Sequence, residues 1–383
     1  MVDAGRPAEV FVALRAALAD GGLAVVPRSG GSQVESGGWP GIGERAAQNV
    51  ALVIETSGST GVPKRVALSV DALLASAAAS AGAMGGQGQW LLALPAHYVA
   101  GAQVLVRSLA AGTEPVYYGE GHFDPLRFAE LAAELDGDQL YTSLVPVQLA
   151  RLVEAVEAGA REAGTALRRF DGILVGGQSL DPRLRERAET LGARLSTTYG
   201  SSETAGGCVY DGVPIGTTAV RSVEGLLEIS GPTLAEGYVG DEQRTAASFH
   251  EDGGVRWYRT GDLGDVVDGR VTVRGRSDNV IISGGEKVLL DAVERVVRGM
   301  PALGEVVVVA ADDDEWGQVP VVVATGSDSI ADVRDLVARE LGRAAAPARI
   351  VTVADLPRLS NGKPDRVGAA RLARVDGSAS SET

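Results

Sequence analysis

Nine residues, Thr56-Ser-Gly-Ser-Thr-Gly-Val-Pro-Lys64, bring together the groups that grip a phosphate. Gly58 and Gly61 let backbone N–H groups approach an anion closely. Thr56, Ser57, Ser59 and Thr60 add hydroxyl donors, and Lys64 adds a compact positive charge. The spacing excludes the G-x-x-x-x-G-K-[ST] phosphate loop, because Arg65 follows Lys64 and the two glycines stand too close together. Taken alone, the nine residues read equally well as a flexible turn.

Lysine usage supports the chemical reading. Of 35 Lys and Arg residues only Lys64, Lys287 and Lys363 are lysines, each beside glycine or in a Gly-rich stretch. A chain that otherwise uses arginine keeps lysine where a mobile point charge with rotatable donors serves better than a planar fork.

Five other stretches carry suitable groups. Gly176-Gly177-Gln178 follows an apolar run, at the kind of strand end where α/β sheets meet ligands. Thr197-Thr-Tyr199-Gly200-Ser-Ser202-Glu203 offers an aromatic face, hydroxyls and a carboxylate; beside a phosphate loop that carboxylate suits Mg²⁺. Tyr258-Arg-Thr-Gly-Asp262 places an acid at what reads as a tight turn, where it could accept from ribose hydroxyls or simply cap the turn. Gly275-Arg276-Ser-Asp278-Asn opens a new compact unit or forms a plain hairpin turn, and Ser360-Asn-Gly-Lys363 lies near the end of the chain.

The elements that must position these groups alternate. Apolar runs at 51–54 and 66–68 flank the first loop, and an Ala-rich helix follows. Strands are expected at Trp90–Leu94, Pro115–Tyr118, Gln139–Leu144, Gly172–Val175 and Arg194–Thr198. Helices are expected at Ala8–Asp20, Val99–Ala111, Pro125–Leu135, Val147–Ala163 and Pro182–Leu191. Short buried strands alternating with amphipathic helices define an α/β class with mostly parallel sheets. Past Ala205 glycine-spaced strands at Gly225–Ile229, Arg256–Tyr258, Asp265–Val267 and Arg270–Val273 suggest a β-rich subdomain. A small α+β unit then follows, with helices Leu290–Arg298 and Ile330–Leu341 and strands Glu305–Ala310, Val319–Ala324 and Arg349–Val353. The expected division is a large domain over 1–276, a small mobile one over 277–375 and a disordered polar tail over 376–383.

In this order the motifs resemble the acyl-adenylate-forming (AMP-binding) superfamily, over about residues 50–368. The resemblance implies ATP, Mg²⁺ and CoA as cofactor and co-substrates, with Lys363, Glu203 and Thr60 as catalytic groups. It assigns Thr56–Lys64 to the β,γ-phosphates, Gly176–Gln178 to the edge of adenine and Tyr199, with Gly200, to its face. Ser202 stands where threonine is usual. Glu203 is the implied Mg²⁺ ligand, Asp262 the ribose acid and Arg276 its neighbour. Asp278 is the hinge, Gly284, Gly285 and Lys287 form the CoA-side loop, and Lys363 bridges the attacking carboxylate and the α-phosphate. Leu94-Pro-Ala-His97-Tyr98-Val-Ala-Gly101 departs from the family pattern, because histidine and aromatic are transposed; both are substrate-side candidates.

Only 55 residues precede the phosphate loop, and with Leu94-Pro-Ala-His-Tyr-Val-Ala-Gly-Ala-Gln-Val-Leu-Val-Arg-Ser108 and Ser143-Leu-Val-Pro-Val-Gln-Leu-Ala-Arg-Leu152 this is similar to the o-succinylbenzoate–CoA ligases of menaquinone biosynthesis. Such an acid carries a second carboxylate, for which Arg151 is the candidate partner. Other aryl- or acyl-CoA ligases, an enzyme loading a carrier protein, and a nucleotide-binding protein without catalysis are the competing readings. Family members are often dimers, so a homodimer is an expectation of the resemblance, with no interface identified.

The bulk properties exclude other classes. A net charge of −15 argues against a general nucleic-acid or anionic-membrane binder. The single cysteine, Cys208, forbids an internal disulfide and suits a reducing compartment, so a cytoplasmic location is expected. No apolar run approaches the ~20 residues of a membrane span.

Overall fold

The computed structural model describes residues 1–19, 23–29, 49–56, 64–358 and 364–375. Contacts divide the chain into two compact units. The first comprises Met1–Arg221, Glu228–Arg259 and Val266–Val271, and the second Ser222–Leu227, Thr260–Asp265 and Thr272–Thr383.

In the first unit a seven-stranded sheet takes its order from the chain alternation. Strands Gln89–Leu92, Leu140–Leu144, Gly172–Val175 and Leu195–Ser201 run parallel side by side, with Val116–Tyr117 at the edge next to Gln89–Leu92. Gly206–Tyr210 and Val213–Pro214 continue the sheet antiparallel. Parallel pairing follows from the helical crossovers between the strands. Their inward faces bury Leu91, Leu140, Leu144, Ile173 and Val175 against Phe128, Leu149, Leu152 and Phe170. Each such side chain contributes on the order of 1.5–3 kcal/mol by leaving water.

The Val99–Ala111 helix has the expected bounds; Gly112 ends it at φ 67°, the left-handed conformation that glycine adopts without a Cβ clash. The single helix expected over Val147–Ala163 is two, Pro146–Glu157 and Arg161–Arg169. Gly159, at φ 102°, breaks the helical path between them.

A second small sheet pairs Val50–Thr56 with Lys64–Ser69 antiparallel, from Val50↔Ser69 to Thr56↔Lys64. Lys64 therefore begins a strand and does not belong to a loop. Ser69 caps the helix Val70–Met84 by accepting from Ala72 N at 3.3 Å.

The β-rich region is more continuous than its glycines suggest. Arg256–Tyr258 and Asp265–Val267 are parts of one strand, Val255–Val267, and Asp262 lies within it rather than at a tight turn. Gly261, at φ 73°, supplies the local irregularity that reads as a turn in the sequence.

In the second unit Val306–Asp313 pairs antiparallel with Gly317–Ala324 in full register, and Arg349–Thr352 joins the latter in parallel. Alternate valines face two cores. Val306, Val308 and Val322 pack on helices Leu290–Val297 and Ile330–Leu341, while Val307, Val309, Val321 and Val323 pack on helix Arg366–Val375. The sequence pattern does not announce that last helix, nor the hairpin Val280–Ser283/Glu286–Leu289.

Candidate active site

Glu203 is carried on a 3₁₀ turn, Ser202–Thr204, directly after the Leu195–Ser201 strand. The chain can double back there because a Cβ at Gly200 would lie 2.1 Å from the Gly206 carbonyl, a distance open only to glycine. Tyr199 pairs with Val209 on the returning strand, and Thr204 Oγ1 receives the Ser201 amide at 2.9 Å. Glu203 is 5% exposed. Its Oε1 accepts from the Tyr238 hydroxyl at 2.9 Å and lies 4.0 Å from Lys64 Nζ. Lys64 also sits over the Tyr238 ring, 5.7 Å from its centre. Burial, with the Glu203 charge beside it, pushes the Tyr238 phenol upward, so it stays a neutral donor.

This donor set suits a hard cation. Mg²⁺ keeps several waters and takes one or two carboxylates together with substrate phosphates. Glu203 would supply a carboxylate oxygen to such an ion; among the described residues no cluster of three metal-ligating side chains occurs.

Gly176 follows the Gly172–Val175 strand so closely packed that a Cβ would meet Thr198 Oγ1 at 2.3 Å. Gly177 takes φ 82° and Gln178 is exposed at the sheet's C-terminal edge. In the second unit Arg276 donates to Asp262 at 3.2 Å, to both Asp278 oxygens at 3.2 Å and to the Thr260 carbonyl at 3.0 Å. Burial works against its charge, but the Asp278 and Asp262 carboxylates hold the guanidinium pKa above its ordinary value. Gly284 and Gly285, at φ 57° and 84°, form the two-residue turn between the Ser283↔Glu286 pair, as hairpins of this twist require. Lys287 is exposed on the returning strand.

The His97 and Tyr98 rings lie 4.0 Å apart between centres, tilted by 53°. His97 Nδ1 is buried with no partner among the described residues, and burial lowers the imidazole pKa. Arg151 is exposed and donates to the Phe123 carbonyl at 3.3 Å. Cys208 is buried and its thiol is pushed up to about 12 by that burial, which leaves it unreactive. Ser57, Gly58, Ser59, Thr60, Gly61 and Lys363 lie outside the described residues, as does the 376–383 tail.

One group escapes a reading by motif. Arg107, 7% exposed, lies on the mostly apolar Val99–Ala111 helix, and no carboxylate pairs with it among the described residues. It stands 5.0 Å over the Trp90 ring and donates to the Tyr210 hydroxyl at 3.5 Å; its Nε has no partner. Burying an ion costs several kcal/mol. A cation–π contact of ~2 kcal/mol and one long hydrogen bond do not offset that. Burial accordingly lowers the guanidinium pKa. One helical turn earlier, Gln103 is fully buried, and neither amide atom has a partner among the described residues. A Cβ at Gly206 would come within 3.3 Å of Gln103 Cγ, so this polar line starts three residues past Glu203. The cavity beside Arg107 and Trp90 measures about 10 Å³, room for about one water. An arginine and a glutamine four apart on an apolar helix were the signal available in the sequence.

Two family models match the chain: AMP-binding enzyme over residues 26–239, and AMP-binding enzyme C-terminal domain over residues 292–363. The chain belongs to the AMP-binding enzyme family. Within it, the chain is 39% identical over 343 residues to a Mycobacterium tuberculosis protein named "Probable 2-succinylbenzoate–CoA ligase", covering 86% of each. It is 32% identical to the 2-succinylbenzoate–CoA ligase of Escherichia coli K12, covering 80% of this chain and 65% of that one. Among solved structures it resembles the o-succinylbenzoate CoA synthetase of Bacillus subtilis in complex with its acyl-adenylate intermediate. The TM-score is 0.71 at 27% identity, over 83% of this chain and 68% of that one. Among the described residues no helix is long and apolar enough to cross a membrane.

Proposed function

We propose that the chain is an AMP-forming acid–thiol ligase that converts o-succinylbenzoate to its CoA thioester. The observation that carries the choice of acid is Arg107, a buried cation without a counter-charge among the described residues, in line with Gln103. An acid with two carboxylates can react through one and neutralise Arg107 with the other, directly or through a water. Arg107 replaces the exposed Arg151 in this role.

In the first step a carboxylate oxygen of the acid attacks the α-phosphorus of ATP. The P–O bond to pyrophosphate breaks, and the acyl-adenylate forms. The protein must hold these anions in line and offset charge that develops between them. Lys64 and the 56–64 stretch serve the outgoing phosphates, Tyr199 and Gly176–Gln178 the adenine, and Asp262 with Arg276 the ribose. Mg²⁺, when bound, would neutralise phosphate charge at Glu203. Tyr238 holds the Glu203 carboxylate in place. Lys363 serves the attacking carboxylate. In the second step the CoA thiol gives its proton to solvent, its sulfur attacks the acyl carbon, and the bond from that carbon to the phosphate oxygen breaks to release AMP. The Gly284–Lys287 turn serves that step after movement at Asp278. ATP and CoA are cytoplasmic co-substrates, and a cytoplasmic setting, as monomer or homodimer, belongs to the same reading.

The test is pyrophosphate release with ATP, Mg²⁺ and CoA over a panel holding o-succinylbenzoate, benzoate, 4-coumarate, acetate, a medium-chain fatty acid and amino acids. Turnover confined to o-succinylbenzoate, with its CoA thioester and AMP as products, is expected. Preference for another acid rejects the substrate. Pyrophosphate release without a CoA product indicates a carrier-loading enzyme. ATP binding with no turnover of any acid indicates a non-catalytic protein.

A further inference from the structure

The two buried polar groups of the Val99–Ala111 helix lie against the two ends of the strand Gly206–Tyr210. Gln103 packs at the start of that strand, where a Cβ at Gly206 would come within 3.3 Å of its Cγ. Arg107 packs at the end of it, where the guanidinium reaches the Tyr210 hydroxyl at 3.5 Å. Glu203 stands three residues before Gly206. Followed along the strand, the order is carboxylate, carboxamide, guanidinium.

The two helix groups are held differently. Arginine has no acceptor, so the Tyr210 hydroxyl accepts from Arg107, and its own proton is free for Ser80 Oγ at 2.8 Å. That pair fixes one end of the guanidinium. Gln103 has no such support: it is 0% exposed, and neither Nε2 nor Oε1 has a partner among the described residues. A buried carboxamide left unpaired costs more than an apolar side chain of the same shape. The helix interior alone is better served by a methionine or leucine there. A glutamine is explained by a ligand that brings an oxygen to it.

The proposed acid brings one. In o-succinylbenzoate the ketone and the ring carboxylate are carried on neighbouring ring carbons, and the reacting carboxylate lies at the far end of the chain that starts at the ketone. Side chains four apart on a helix stand about 5–6 Å from each other at Cβ. With the ring carboxylate at Arg107, the ketone comes beside the adjacent helical turn and the chain continues toward Glu203. The acid's groups then follow the same order as the protein's. A ketone accepts and cannot donate, so the amide nitrogen of Gln103 is the atom that serves it.

We propose that Gln103 is a specificity-determining residue that donates from Nε2 to the ketone of the acid. This rests on the choice of acid given above and deepens it: Arg107 reads the second carboxylate, and Gln103 reads the oxygen that separates an acyl-arene from a plain arylalkanoate.

The experiment compares wild type, Gln103→Met and Gln103→Leu on o-succinylbenzoate and on 4-(2-carboxyphenyl)butanoate, which lacks only the ketone oxygen. It reads kcat/KM for pyrophosphate release with ATP, Mg²⁺ and CoA, and the thermal midpoint of each protein without substrate. Wild type is expected to favour the ketone by at least about tenfold. In both variants the ratio should fall to within about twofold of one, chiefly by loss on the ketone. Their midpoints should hold or rise by about 1–3 °C, because two unpaired polar atoms leave the interior. A wild type that treats the two acids alike, variants that keep the wild-type ratio, or an equal loss on both acids overturns the proposal and leaves the choice of acid standing. Midpoints lowered by several degrees in both variants also overturn it, since Gln103 would then have a structural partner. A wild type that turns over neither acid but acts on another overturns the choice of acid and this inference with it.

Discussion

Glu203 sits in the first unit, 5% exposed, with a tyrosine hydroxyl on one oxygen and a lysine 4.0 Å away. Asp262 and Arg276, in the second, belong to a network of three charged groups with Asp278, and the Arg276 side chain is 44% exposed. The first arrangement keeps a carboxylate fixed and, among the described residues, short of partners, so that lone pairs remain for a cation. The second satisfies every charge with another, in contacts that water can replace. A buried group loses much when its partner goes, whereas a half-exposed pair loses little. The contrast matches the proposed work: charge neutralisation at a fixed point on one side, adjustable nucleotide contacts on the other.

The comparison can be broken most directly at its buried end. Glu203→Gln keeps the shape and removes the charge. ATP–pyrophosphate exchange should fall by about 10²–10³-fold, as when a group stabilising developing charge is lost. Raising Mg²⁺ should recover part of it. A fall below tenfold would place the metal site elsewhere.

Arg107→Ala tests whether a second buried group follows the same rule. Its kcat/KM for o-succinylbenzoate should drop about 10²-fold, because a site built for a hydrogen bond rejects a ligand it can no longer pair. Monocarboxylic acids should be far less affected. An equal loss for both kinds of acid would make Arg107 a structural residue only.

At the exposed end, Arg276→Ala should raise KM for ATP about fivefold to tenfold and move stability by less than about 1 kcal/mol, since exposed pairs are screened. Added salt should raise the wild-type KM in the same direction and leave the variant nearly unmoved. A loss as large as that of Glu203→Gln would erase the distinction between the two regions.

The smallest effect concerns His97. Its pKa is lowered in the folded state by burial, so the unfolded chain takes up the proton first as pH falls. Stability is therefore flat above the unfolded value of about 6.5 and declines as pH drops below it toward the folded pKa. Denaturant titrations of wild type and His97→Gln across pH 5–8 should show a shallower decline in the variant. Parallel curves would mean that His97 is protonated alike in both states.

Much of this was legible in the chain. The Val99–Ala111 helix and the Gly172–Val175 strand have their expected bounds, because apolar period and a terminal glycine coincide there. Glu203, Asp262 and Arg276 stand out in the sequence because their signals are local: Asp262 and Arg276 each follow a glycine, and Glu203 follows Gly200-Ser-Ser. Two things were not legible. Gly159 splits a helix whose apolar pattern runs on across the break, and Gly261 mimics a turn inside a strand, since a glycine's φ cannot be told from its neighbours. The other is Arg107 and Gln103. Arg107 acquires its meaning only when Trp90 and Tyr210 close around it, and Gln103 only when Gly206 packs against it. Burial and convergence are tertiary properties: the four-residue spacing of Gln103 and Arg107 puts the two on one helix face, but it does not say that the face is buried.

The most direct measurement is product analysis by mass spectrometry with ATP, Mg²⁺ and CoA, comparing o-succinylbenzoate with 4-oxo-4-phenylbutanoate, which lacks only the ring carboxylate. The account predicts o-succinylbenzoyl-CoA, AMP and pyrophosphate from the first acid, and at least about 10²-fold slower turnover of the second. Equal turnover of the two acids would contradict it, because Arg107 would then have no carboxylate to read.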